Sequence, residues 1–170
     1  MIVLGLECSG MAASVAIIDD NRILGEYTIN HRRTHSRTIM PMLDELKGNL
    51  EIELDDVDVI AVAAGPGSYT GLRISSATAK GLAMALDIPV VSVPTIDGLA
   101  YNLWGTTDYI CPIMDARRSQ VYTGIYHFEG ADMTVDMSQK VMAIDELISS
   151  LSKMLDKSPN RDIIFIGDAV

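Results

Sequence analysis

The residues best suited to chemistry in this 170-residue chain are Ala64-Gly65-Pro66-Gly67-Ser68-Tyr69-Thr70-Gly71-Leu72-Arg73. They follow an apolar run, Val57 to Ala63, and lead into the small-residue run Ile74 to Leu86. Strand, glycine loop and helix in that order aim backbone N–H groups and the positive end of a helix dipole at one point. A phosphate or carboxylate is the natural occupant of such a point. Pro66 fixes one φ and the glycines permit dihedrals that other residues avoid, so the loop is rigid. Gly65, Gly67, Ser68 and Thr70 are the candidate anion-binding residues of this loop.

Other reactive side chains are sparse. The three histidines are His31, His35 and His127. His31 and His35 have the i, i+4 spacing of a zinc site, but Glu26 and Asp44 fall in other elements and supply no third ligand. No metal site is expected. His127 alternates with Tyr126 and Phe128 and reads as a sheet residue, and no Ser-His-Asp or Cys-His set stands out. Cys8 and Cys111 lie in or beside apolar runs and read as buried free thiols. Arg117 and Arg118 follow Asp115 in a turn. A hairpin ion pair with Asp115 is the simpler reading, and contact with a partner or a phosphate in a cleft is the other.

The elements that must position these residues follow from patterning. The chain is 48% hydrophobic and 21% charged, in the range of a soluble globular protein that buries a core. No stretch approaches a membrane span and no basic leader is visible before the first strand, so a cytoplasmic protein is expected. The net charge of −10 repels a phosphate backbone, so the chain alone is a poor nucleic-acid binder. The basic run His31 to Arg37 is read as a solvated loop and helix start.

Strands are expected at 2–8, Ala13–Ile18 and Ile23–Ile29, then a helix carrying Ile39, Met42, Leu43, Leu46 and Leu50 on one face. Pro41 makes the start of that helix uncertain. A strand at Val57–Ala63, a helix at Thr70–Leu86, a strand at Pro89–Val93 and a helix at Thr95–Trp104 capped by Thr95 complete a first lobe, residues 1–105. The pattern then starts again. Strands at Tyr109–Met114, Val121–Phe128 and Met133–Met142, a helix at Ile144–Leu155 and a strand at Asp162–Ile166 form a second lobe, residues 106–170. Strand-strand-strand-helix-strand thus occurs twice, offset by about a hundred residues. The fold class is α/β, two lobes each with a mixed sheet flanked by helices. The second copy stops where its crossover helix should begin, which predicts an incomplete second lobe.

Two such units are the plan of the actin/hexokinase/Hsp70-type, ribonuclease H-like ATPases. Gly65 to Arg73 followed by Thr78-Ala79-Lys80-Gly81-Leu82-Ala83 closely resembles the signature of the TsaB (YeaZ) family. Asp115-Ala116-Arg117-Arg118 before Val121-Tyr122 resembles a second family motif, and His35-Ser36 before Met40-Pro41-Met42-Leu43 a third. The resemblance covers the whole chain. It implies a non-catalytic partner in the bacterial machinery that makes N6-threonylcarbamoyladenosine beside the anticodon of tRNA. It further implies a heterodimer with the metal-binding catalytic paralogue TsaD, contact with the ATPase TsaE through the complex, and a homodimer in isolation. Contact with tRNA would be made only through the complex.

Folds of this kind hold magnesium-bound water with an aspartate at the end of the first strand. Glu7 occupies that position, one methylene longer. Ser9 lies in a turn, Cys8-Ser9-Gly10-Met11-Ala12-Ala13, that lacks a phosphate-gripping lysine. The expectation is a degenerate ATPase that needs no cofactor and binds ATP or ADP weakly at Glu7, Ser9 and the glycine loop. The glycine loop becomes an elbow that sets the helix behind it. Small side chains surround that helix, which permits close approach of another helix. The partner surface is assigned to Met40, Met42, Leu43, Leu72, Ser76, Ala79, Lys80 and Ala83, with Met84 beside them, because methionine-rich surfaces adapt to more than one partner. The alternatives are an active ATPase or kinase of the same fold and, behind it, a metallopeptidase.

Overall fold

The structure, a computed structural model, describes residues 1–20, 22–30 and 37–169. The chain divides into two compact units, Met1–Thr95 and Ile96–Val170. In the first, alternating apolar positions make β1 (Ile2–Glu7), β2 (Ala13–Asp19) and β3 (Arg22–Ile29), a meander of antiparallel pairs with a bulge between Ile17 and Ile18. Leu4, Leu6, Val15 and Ile17 are buried. They pack in one core with Ile39, Met42, Leu43 and Leu46 of α1 (Ile39–Leu50). Each such burial contributes about 1.5–3 kcal/mol. The packing is tight enough that a Cβ on Gly25 would stand 2.8 Å from Leu46 Cδ1. Pro41 falls in the first turn of α1, where an N–H would have no intrahelical partner.

Glu51 ends α1 in a left-handed conformation, φ 54°, with the N–H of Ile52 donating to the Lys47 carbonyl at 3.1 Å. A glutamate carries a Cβ penalty there that glycine does not. Glu51→Gly is expected to stabilise the protein by about 0.5–1 kcal/mol in urea unfolding.

β4 (Val59–Ala63) enters parallel to β1, with Leu6 opposite Val62, and β5 (Val90–Val93) lies parallel to β4. Between them α2 (Tyr69–Leu86) crosses against β4, β1 and β5. The sheet order is β3-β2-β1-β4-β5.

The second unit repeats the plan. After α3 (Thr95–Ala100) and a 3₁₀ turn (Tyr101–Leu103) come β6 (Tyr109–Asp115), β7 (Gln120–Glu129), β8 (Asp132–Ala143), α4 (Ile144–Lys157) and β9 (Ile163–Ile166). The order is β8-β7-β6-β9, with β6 antiparallel to β7 and parallel to β9. β6 therefore corresponds to β1 and β9 to β4, as the sequence repeat predicts. Successive residues of β6 and β7 feed two cores. Cys111, Val121 and Ile125 pack with Leu147 and Leu151 of α4, while Ile110, Tyr126 and Phe128 pack with Ile96 and Ala100 of α3. Cover on both faces explains the unbroken buried run Thr123 to Phe128.

Two expectations shift. The sequence reading places the lobe boundary between 105 and 106, whereas packing places it between Thr95 and Ile96, because α3 delivers Ile96 and Ala100 to the second unit. Thr95 is read as the N-cap of that helix, yet it is the helix's first residue, and its buried hydroxyl has no partner among the described residues. Among the described residues, no helix is long and apolar enough to cross a membrane.

Candidate functional site

The parallel pairing of β1 with β4 brings Glu7 and Ala63 to the same end of the first sheet. The two turns that follow clasp each other. The N–H of Ser68 donates to the Ser9 carbonyl at 2.6 Å, and a Cβ on Gly67 would stand 2.6 Å from Ser9 Cβ. Gly65 has φ 98° and accepts the Thr95 N–H at 2.9 Å, while the Ala64 N–H donates to Val93 at 2.8 Å. Ser68 caps α2 by accepting the Gly71 N–H at 3.2 Å, as a helix-start serine does. The Glu7 carboxylate accepts the Ser9 N–H. The Ser68 amide that the sequence reading aims at an anion, and the Gly71 amide behind it, are thus spent on the protein itself. The Glu7 carboxylate thus sits on the turn that follows β1. Thr70 is exposed and Ser9 buried.

Cys8 is buried beside Glu7, and burial first, then the Glu7 charge, pushes its thiol up to about 11. It stays protonated and is a poor nucleophile at neutral pH. Cys111 is also buried and raised by burial, partly offset by its hydrogen bond with Thr123 at 3.4 Å. Both are free thiols.

The residues assigned to a partner surface separate into two groups. Met40 and Lys80 are exposed on α1 and α2, and Leu72 and Ser76 are half-buried. Met42, Leu43, Ala79 and Ala83 are buried in the first unit's own core. The outward side of α2 carries instead Tyr69 (68% exposed), Arg73, Ala77, Lys80 and Met84 (84% exposed). Arg73 lies 4.2 Å from the centroid of the Tyr69 ring, a cation–π contact. α2 contains no acidic residue although the chain carries −10. Sequence reasoning missed Tyr69; its i, i+4 spacing from Arg73 and i, i+15 spacing from Met84 on a 3.6-residue period would have found it.

In the second unit the turn between β6 and β7 overturns the ion-pair reading. Asp115 Oδ1 accepts the backbone N–H of Arg117 at 2.6 Å, and Asp168 Oδ1 accepts the Asp115 N–H at 3.2 Å. Arg117, Arg118 and Ser119 have φ of 67°, 55° and 57°. The Asp115 carboxylate is committed to backbone, and neither guanidinium forms an ion pair among the described residues. Gly167 repeats the role of Gly67, since a Cβ there would stand 3.0 Å from the Ile113 carbonyl carbon. His127 is the sheet residue expected, with Nδ1 2.6 Å from Asp136 and Nε2 3.5 Å from Glu129. Among the described residues no group of His, Cys, Asp and Glu is arranged to hold a metal. His31, His35, Ser36 and most of the basic run lie outside the described residues.

Known proteins share this plan. The family described as TsaD, tRNA N6-adenosine threonylcarbamoyltransferase, matches residues 22–170. The tRNA threonylcarbamoyladenosine biosynthesis protein TsaB of Bacillus subtilis is 37% identical over 168 residues, 98% of this chain and 71% of that protein. TsaB of Haemophilus influenzae is 37% identical over 128 residues, 72% of this chain and 52% of that protein. The structure of YeaZ from Pseudomonas aeruginosa gives a TM-score of 0.72 at 31% identity, over 83% of this chain and 66% of that one. Component A of the Acidaminococcus fermentans (R)-2-hydroxyglutaryl-CoA dehydratase, at 15% identity and a TM-score of 0.51 over 92% of this chain and 54% of that one, shares the fold alone. These likenesses make the chain a member of the TsaB (YeaZ) family, on the actin-like ATPase fold.

Proposed function

We propose that this chain is a non-catalytic subunit for threonylcarbamoyl transfer to the adenosine beside the anticodon in tRNA, and that it pairs with a TsaD-type transferase. The likeness to Bacillus subtilis TsaB across nearly the whole chain carries this reading. The outward side of α2, apolar and cationic on an acidic protein, supports a helix-mediated contact. The same surface serves a homodimer when TsaD is absent. TsaE and tRNA are reached through the complex, in the cytoplasm. A scaffold role is supported by the spent loop amides and the Glu7 carboxylate over Ser9, which leave little for a phosphate to bind.

Mass spectrometry of tRNA nucleosides after deletion of the gene tests the role; unchanged threonylcarbamoyladenosine would overturn it. Complementation with Met84→Glu is expected to restore the nucleoside poorly, with an unfolding free energy in urea within about 0.5 kcal/mol of the parent, because Met84 is a surface residue.

A second reading, a weak nucleotide site at the loop, is favoured by one observation. Thr95, whose amide holds Gly65, buries a hydroxyl that has no partner among the described residues. Calorimetry with ATP and magnesium is expected to give a Kd above about 1 mM, near −4 kcal/mol of binding free energy. Low-micromolar binding with turnover would favour the ATPase over the scaffold.

A further inference from the structure

The turn after α3 presents two aromatic side chains that the cores of the second unit do not absorb. Tyr101 is 51% exposed and Trp104, the sole tryptophan, 64%. Neither hangs free. The Tyr101 ring stands edge-on to Phe128 with centroids 5.5 Å apart, and Trp104 Nε1 donates to the Ala131 carbonyl at 3.3 Å. The Trp104 N–H closes the 3₁₀ turn onto the Tyr101 carbonyl at 3.1 Å, and the Phe128 N–H holds the Thr106 carbonyl at 2.9 Å. The segment is strapped to the β7–β8 end of the sheet. Exposed aromatics already fixed in place offer contact area at low entropic cost, which is why such residues anchor interfaces.

The formal charges beside them are acidic, and Glu129 also meets His127 Nε2 at 3.5 Å. The turn that receives Trp104 is Glu129-Gly130-Ala131-Asp132, and both acids are exposed. Ile96 to Ala116 and Ser119 to Gln139 contain no lysine or arginine. Arg161 is engaged elsewhere, 5.1 Å from the Tyr109 ring centroid. An indole face with carboxylates alongside suits a guanidinium, which stacks on the ring and donates in a fork to a carboxylate. Nucleic acid is repelled by the same charges.

We propose that the Tyr101–Trp104 turn, with Glu129 and Asp132, is a docking surface for an arginine-bearing segment of a partner protein. It uses residues other than those of α1 and α2.

The test is titration of the full chain with a hexa-arginine peptide, followed by Trp104 emission and by calorimetry, with hexaglutamate as control. Saturable binding is expected for hexa-arginine alone. Trp104→Ala, and separately Glu129→Gln with Asp132→Asn, should each weaken it by about tenfold. Glu51→Gln with Asp55→Asn, which removes the same charge from residues outside the proposed surface, should leave it within about twofold. The surface double variant keeps the test valid if Trp104→Ala fails to fold. Absent binding, equal weakening by the first-unit variants, or an emission change that depends on protein concentration alone, which would assign the surface to a second copy, overturns the proposal.

Discussion

Gly67→Ala is expected to destabilise the protein by about 3 kcal/mol, read as a fall in the urea midpoint at unchanged slope. The Cβ would enter the space of Ser9, 2.6 Å from its Cβ and 2.9 Å from its carbonyl carbon. Neither neighbour is the end of a flexible side chain. Ser9 is held by the Ser68 N–H and by the Glu7 carboxylate, so relief requires parting the turn after β1 from the turn after β4. That parting also shifts Ser68, the cap of α2, and a lost cap costs about a further 1 kcal/mol. If α2 carries the partner surface, threonylcarbamoyladenosine should fall with stability in a strain carrying this variant. An unfolding free energy within about 0.5 kcal/mol of the parent would show that the clasp is not close-packed.

Tyr126→Ala is expected to cost about 4 kcal/mol, in the range for removing a fully buried aromatic. Tyr126→Phe keeps the ring and should cost about 1–2 kcal/mol, because Asp97 loses the phenol donor that reaches it at 2.6 Å. Burial first, then the hydrogen bond and charge of Asp97, hold the phenol well above its ordinary value of 10.0. A raised folded value means that the contribution is complete below pH 10.0 and is lost as pH rises beyond it, because the unfolded phenol ionises while the folded one does not. Cys8 acts in the same direction between 9.0 and about 11. The protein is therefore expected to melt at falling temperatures above pH 9, more steeply above 10. Tyr126→Phe should flatten the part above 10, and an unchanged alkaline slope in that variant would rule out Tyr126 as its source.

Much of this architecture is legible in residue patterning, and the repeat is the reason. Glu7 and Asp115 each end a first strand, and each copy then runs through two more strands and a helix. What patterning does not reach is which sheet a short helix serves. α3 spans six residues, too few for its period to show that Ile96 and Ala100 face the second unit. The surface phase of α2 is hidden for a related reason. With small residues nearly all round, no polar face marks the outside, so the buried Ala79 and Ala83 look equivalent to the exposed Ala77. The clasp is invisible because Ser9 and Gly67 meet only once β1 and β4 are in register. The turn at Arg117 is hidden because Arg, Arg and Ser give no sign of three left-handed residues in a row.

The position of β1 between β2 and β4 has a consequence for synthesis. Its hairpin partner follows at once, but the other edge waits for a strand some 56 residues away, the separation of the Ile2–Asp58 contact. β6 and β9 stand in the same relation, with Asp115 and Asp168 53 residues apart. At about 5–20 residues per second on the ribosome, each central strand spends about 3–11 seconds with one edge unpaired. During that interval the nascent chain offers strand templates twice over, and its yield should depend on chaperone supply more than its size suggests.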